Sequence, residues 1–104
     1  MTARQPAART LARYGLSLAE WKRILKRQGG GCGVCGTVPP SGTLHIDHEH
    51  VRGWRKMAAQ ERRKFVRGLV CWFDNGVLLR RGASPERLRA AADYLERYEN
   101  AKSR

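Results

Sequence analysis

Cys32-Gly33-Val34-Cys35-Gly36 is the stretch on which the fold turns. Two thiols separated by two residues can meet one metal ion from a single tight turn, and glycines at 33 and 36 suit such a turn. Structural zinc takes four ligands, so a second pair is expected. Cys71-Trp72-Phe73-Asp74 offers it, with an aspartate where a fourth thiol would complete the set. Carboxylate oxygen is a legitimate zinc ligand but a harder donor than thiolate. A site of Cys32, Cys35, Cys71 and Asp74 is therefore expected to hold structural zinc (Zn²⁺) more weakly than four thiols would. The competing readings put His45 or His50 in the fourth position, or dispense with zinc. Three cysteines cannot all pair within one chain, and in a reducing compartment this spacing favours a metal over disulfides.

Outward from the cysteine knuckle, the elements are short. Upstream, Ser17 and Glu20 form a capping box, with Leu16 and Trp21 placed as a hydrophobic staple across it. Leu18, Trp21 and Leu25 make an apolar stripe, and Gly29-Gly30-Gly31 ends that helix. Residues 1–15 are basic and weakly patterned, and read as a loose arm. Downstream, Pro39-Pro40-Ser41-Gly42 is a turn, Thr43 to Asp47 a strand, and Phe65 to Val70 a second strand pairing with it. A short helix is expected near Met57 to Arg63. Another opens at Cys71–Asn75, runs through Leu78-Leu79 and is closed by Gly82. Ser84-Pro85-Glu86 starts the last helix, whose stripe of Leu88, Ala91, Ala92, Leu95 and Tyr98 is expected to be buried. The fold class is thus α+β, one β-hairpin with flanking helices, over a domain of residues 16–100 and a flexible tail at 101–104.

At 104 residues the chain is one domain, small enough that a metal staple matters. It carries 21 Lys and Arg against 9 Asp and Glu, a net charge of +12. Such a field points to a polyanion, with nucleic acid ahead of an anionic membrane. No apolar run is long enough to span a bilayer and no signal-peptide core is present, so no membrane partner is expected and the expected compartment is the cytoplasm.

Leu44-His45-Ile46-Asp47-His48-Glu49-His50 is dense in metal-binding and proton-transfer groups. Alternation along a strand turns Leu44 and Ile46 inward, and His45 and Asp47 the other way. An Asp47 carboxylate can hold a divalent cation through hard oxygen, and the adjacent His48 imidazole can take a proton from water. Phosphodiester hydrolysis needs an activated water and a cation for the charge on the leaving oxygen. The plainer reading is a histidine-rich strand that only binds zinc.

The Cys32-Gly33-Val34-Cys35-Gly36 knuckle and this run, with Val66-Arg67-Gly68-Leu69-Val70-Cys71 and Asn75, resemble the phage recombination endonuclease VII group within the HNH (ββα-metal, His-Me finger) nucleases, over about residues 18 to 98. The resemblance implies a small zinc-stabilised ββα-metal core in which the zinc pins the hairpin to the helix. It implies that Asp47 ligates a catalytic Mg²⁺ or Mn²⁺, and that His48 is the general base. Asn75 ligates the same cation or orients His48, and His50 touches phosphate or assists the metal site. Arg52, Arg55, Lys56 and Arg67 are the expected DNA contacts. The segment from Val51 to Lys64 is longer than the family's minimal loop, and its Trp54 either contacts DNA or packs on the hairpin. The function implied is metal-dependent DNA cleavage of low sequence specificity. The alternatives are a non-catalytic zinc-dependent DNA-binding module and an accessory of a phage DNA-packaging terminase. Beyond DNA, the partners to consider are a second copy in a homodimer and terminase subunits.

Overall fold

The computed structural model describes residues 2–80 and 83–102. In chain order the elements are α1 (Ala8–Tyr14), α2 (Leu18–Arg27), β1 (His45–His48), α3 (Ala59–Arg62), β2 (Val66–Val70), a π-helical turn (Asp74–Leu78) and α4 (Pro85–Lys102). Single 3-10 turns at Trp54–Lys56 and Arg63–Phe65 bracket α3.

The start of α2 forms as its sequence dictates. Ser17 Oγ accepts the Glu20 backbone N–H at 3.1 Å, and Glu20 Oε1 accepts that of Ser17 at 2.9 Å. Leu16 and Trp21, the two ends of the staple, are both buried. The core gathers Ala3, Leu11, Leu16, Trp21, Cys32, Leu44, Ile46, Leu69 and Val70. Two of these, Ala3 and Leu11, come from the stretch expected as a loose arm. That stretch instead carries α1, which ends at Gly15 in the left-handed region (φ 70°). A Cβ there would collide with the Ala59 carbonyl, so the glycine also lets α3 close against α1.

β1 and β2 pair antiparallel, with His45 opposite Val70, Ile46 opposite Leu69, Asp47 opposite Gly68 and His48 opposite Val66. The register slips between Asp47 and His48, which leaves Arg67 as the extra residue of a β-bulge. Leu44 and Ile46 turn inward as alternation requires, but Asp47 is buried too.

Among the described residues the sheet has two strands, and a side chain extends its hydrogen bonding. Gln28 Nε2 donates to the carbonyls of Leu69 and Gly31, both at 2.9 Å, and Gln28 Oε1 accepts the Leu69 N–H at 3.0 Å. A Cβ on Gly68 would lie 2.6 Å from Gln28 Oε1, so the amide occupies space that only glycine leaves free. Gln28→Ala leaves the Leu69 N–H without its partner, and we expect it to cost about 2 kcal/mol in denaturant unfolding with no change in DNA affinity.

Ser84 caps α4, its Oγ accepting the Arg87 N–H at 3.1 Å. The stripe expected to be buried is not. Leu88 is half-buried, Ala91 and Ala92 are exposed, and Leu95 and Tyr98 are each 61% exposed. Periodicity shows that a helix owns an apolar face, not that this chain folds something over it. α4 continues through Lys102 where a frayed end was expected. The closing residue Gly82 and tail residues 103–104 lie outside the described residues.

Candidate metal centre and active site

The metal centre is assembled from two segments that β2 brings together. Cys32 and Cys35 lie between α2 and β1, Cys71 directly follows β2, and Asp74 opens the π-helical turn. One ligand atom from each of the four lies within 4.8 Å of the others. The knuckle closes through the Gly36 N–H onto the Cys32 carbonyl at 2.9 Å, with Gly36 at φ 80°. Cys32 Sγ accepts the backbone N–H groups of Val34 and Cys71, each at 3.3 Å. Such bonds stabilise negative charge on sulfur. The Gly33 N–H donates to the Leu69 carbonyl at 2.9 Å and stitches the knuckle to β2.

Asp74 is 5% exposed, and its Oδ2 accepts from Cys71 Sγ at 3.1 Å and from Cys32 Sγ at 3.2 Å. These thiol bonds, that from Cys71 first, hold its carboxyl below the ordinary carboxylate value. For Cys71, a backbone hydrogen bond involving Asp74 favours the thiolate. Burial and the neighbouring Asp74 and Cys32 side chains outweigh it and push the thiol up to about 11. Three sulfurs and a buried carboxylate, which has no ion-pair partner among the described residues, suit a soft divalent ion, so the cluster could bind a metal such as zinc. His45 and His50, the competing fourth ligands, are not part of it.

His48 sits at the end of β1 among aromatic rings. It stacks on Trp54 with centroids 4.2 Å apart and planes at 19°, meets His50 edge-on at 5.2 Å, and lies 5.8 Å from Tyr14. Trp54 is itself fixed by Arg62, whose guanidinium lies 4.5 Å over the indole. Arg62 also donates to the carbonyls of Trp54 at 3.2 Å, Arg55 at 2.6 Å and Arg13 at 3.1 Å. Burial first, then the His50 and Arg67 charges, lower the His48 pKa below its ordinary 6.5, against an opposing pull from Asp47. His48, His50, Val51, Gly53, Trp54, Arg55 and Lys56 line an open groove of about 700 Å³. Trp54 therefore packs on His48 and also forms part of the groove wall. Arg52 is exposed but is not among the lining residues.

The remaining expected residues are placed differently. Asp47 is 4% exposed, and both its oxygens accept from Arg67: Nε to Oδ2 at 2.8 Å and Nη2 to Oδ1 at 2.9 Å. Asn75 lines a second groove, of about 370 Å³, whose other walls include Arg4, Arg13, Tyr14 and His45. Tyr14 connects the two regions, lining the second groove while its ring lies against His48. The hard oxygen of Asp47 suits Mg²⁺ or Mn²⁺ chemically. As placed, however, Asp47 and Asn75 do not present an open donor set, because Arg67 takes both carboxylate oxygens.

Sequence reasoning passed over Tyr14, Arg62 and Gln28. Tyr14 stands three residues after the buried Leu11, a helical spacing within the basic stretch. Arg62 was one more cation in a basic segment, and nothing local distinguishes it from its exposed neighbours.

Comparison with known proteins bears on this arrangement. The Gene 59 protein of Mycobacterium phage D29 is 33% identical over 91 residues, covering 86% of this chain and 48% of that protein. The chain thus spans about half the length of the curated relative it matches. No solved structure matches it. Residues 7–97 match the recombination endonuclease VII family, a span holding the cysteine knuckle, the His48 cluster, the Arg67 bulge and most of α4, and the chain belongs to that family.

Proposed function

We propose that the chain is a metal-dependent DNA endonuclease of the HNH type, with His48 as general base. The observation that carries this is the setting of His48: an imidazole held by ring stacking, beside a carboxylate residue, on the wall of an open groove that also carries Arg55 and Lys56. Those cations, with Arg52 and Arg67, are the proposed contacts to the DNA backbone, and His50 is the proposed phosphate contact within the groove. Contacts of this kind position a strand without reading its sequence.

In the proposed reaction a water oxygen attacks phosphorus, its proton passes to neutral His48, and one P–O ester bond breaks, with the leaving oxygen protonated from solvent. A catalytic Mg²⁺ or Mn²⁺, when bound, would supply charge stabilisation at that oxygen, with Asp47 and Asn75 as its proposed ligands. Cys32, Cys35, Cys71 and Asp74 would hold zinc as a structural ion.

The reading is tested by incubating supercoiled plasmid with the protein and Mg²⁺, Mn²⁺, Ni²⁺ or Zn²⁺ in turn. Relaxed or linear product, abolished by a chelator, is expected. DNA that is bound but never cut, whichever ion is supplied, would leave a zinc-dependent binding module instead. Two further results are expected. Affinity for duplex should fall steeply as salt rises, since backbone cations act by releasing counterions. Activity should fall as pH drops through the His48 pKa, below 6.5, because only the neutral ring accepts the proton. His50→Ala removes a neighbouring positive charge, so the His48 pKa should rise and the acidic limb of the pH–rate profile should move to higher pH.

A further inference from the structure

We propose that Arg67 is an exchangeable counter-ion: it closes Asp47 to divalent cations in the free protein and releases it when a DNA phosphate takes the guanidinium. The proposal rests on the reading of Asp47 as a cation ligand, and explains why that ligand is not open in the free chain.

The β-bulge sets up the contact. In an unbroken ladder Arg67 would stand opposite His48 and share its face. Here His48 pairs with Val66 and Asp47 with Gly68, so Arg67 and Gly68 together oppose Asp47. A bulge of this kind re-aims a side chain, and here the guanidinium reaches the carboxylate. The result is a two-point ion pair, Nε to Oδ2 and Nη2 to Oδ1, that fills both oxygens.

The two partners differ sharply in exposure. The Asp47 side chain is 5% exposed and that of Arg67 is 43% exposed. A carboxylate withdrawn from water needs a compensating positive charge, which either Arg67 or a metal ion can supply. Both at once would set a guanidinium against a dication at contact distance, so the two compete. Arg67, in contrast, is open on its solvent side. A guanidinium has five N–H donors in a fork that suits phosphate as well as carboxylate. A backbone phosphate can therefore engage the outer donors and draw the group away from Asp47. The exchange keeps charges paired throughout: Arg67 moves from carboxylate to phosphate, and the cation takes the carboxylate. Cation and DNA then bind cooperatively, and each must tighten the other by the same factor. The free protein would carry little catalytic metal, which confines hydrolysis to bound DNA.

The test is Mn²⁺ binding, followed by electron paramagnetic resonance of the free ion, on the zinc-loaded chain. All samples carry His48→Ala so that the duplex persists, and ion bound by duplex alone is subtracted. In the parent, saturating duplex should tighten Mn²⁺ on the order of tenfold, within the usual range of coupling between sites. Arg67→Met should tighten Mn²⁺ by a similar factor without DNA, and duplex should then add little. Arg67→Gln, which keeps a donor for Asp47 but no charge, should behave alike and serves if the methionine variant folds poorly. Asp47→Asn should lose the ion in every background. Arg67 variants that fold but bind Mn²⁺ no more tightly than the parent, while Asp47→Asn still loses it, would overturn the counter-ion role and leave the endonuclease reading standing. Absence of any Asp47-dependent Mn²⁺, with or without duplex, would overturn both.

Discussion

Cys71→Ser is expected to leave the chain without a stable fold, and a strong chelator should do the same to the wild type. Apparent binding free energies of structural zinc are about 10–16 kcal/mol, as large as the whole net stability of a typical domain, about 5–15 kcal/mol. This chain has little to set against such a loss. Among the described residues its sheet has two strands and its buried core nine residues, one of them Cys32 itself. Without the ion, three thiols crowd a buried carboxylate, and burial with the neighbouring Asp74 and Cys32 side chains pushes the Cys71 thiol up to about 11. Elemental analysis should give one zinc per chain, and far-UV circular dichroism should report the loss of structure on chelation. A chain that keeps its fold and unfolding midpoint after the ion is stripped would refute the staple. Asp74→Cys should tighten zinc in competition with a chromogenic chelator, because it replaces a hard donor by a soft one.

His48→Ala is expected to lower the rate of DNA cleavage by about 10²–10⁴-fold, the usual contribution of a positioned general base. The fold should survive, since the ring lines an open groove and Trp54, on which it stacks, is also held by the hydrogen bond and guanidinium of Arg62. Unchanged circular dichroism and melting temperature would check this. The residual activity should also lose the acidic limb tied to the depressed His48 pKa. A variant that keeps that limb would assign it to another group.

Much of this arrangement is legible from local chemistry, and the remainder is not, for identifiable reasons. The Ser17–Glu20 box and the Ser84 cap are written within four residues, because each is a bond between a side chain and its own turn. The cysteine–aspartate cluster follows from ligand spacing, since two short loops can meet around one ion only in a few ways. Ion pairs across strands are harder. Nothing in Val66-Arg67-Gly68 shows that a bulge will aim Arg67 at Asp47 rather than at DNA, because register is settled by the whole ladder. α1 was hidden by its charge: one leucine and one tyrosine at helical spacing carry too little signal beside the arginines. The stripe of α4 fails for the opposite reason: its pattern is clear, but Leu95 and Tyr98 stay mostly exposed. Of the candidate residues, His48 and His50 share one groove with Arg55 and Lys56, whereas Asn75 lines a separate groove joined to it through Tyr14, a residue the motif does not contain.

The most direct test of the central claim sets binding against cleavage on the same samples. Zinc-loaded wild type and His48→Ala would be titrated onto supercoiled plasmid at low salt, bound fraction and nicked fraction being read in parallel after Mg²⁺ or Mn²⁺ is added. Equal binding with nicking confined to the wild type is the predicted result. Equal nicking by both proteins, or none by either at full occupancy, would contradict it.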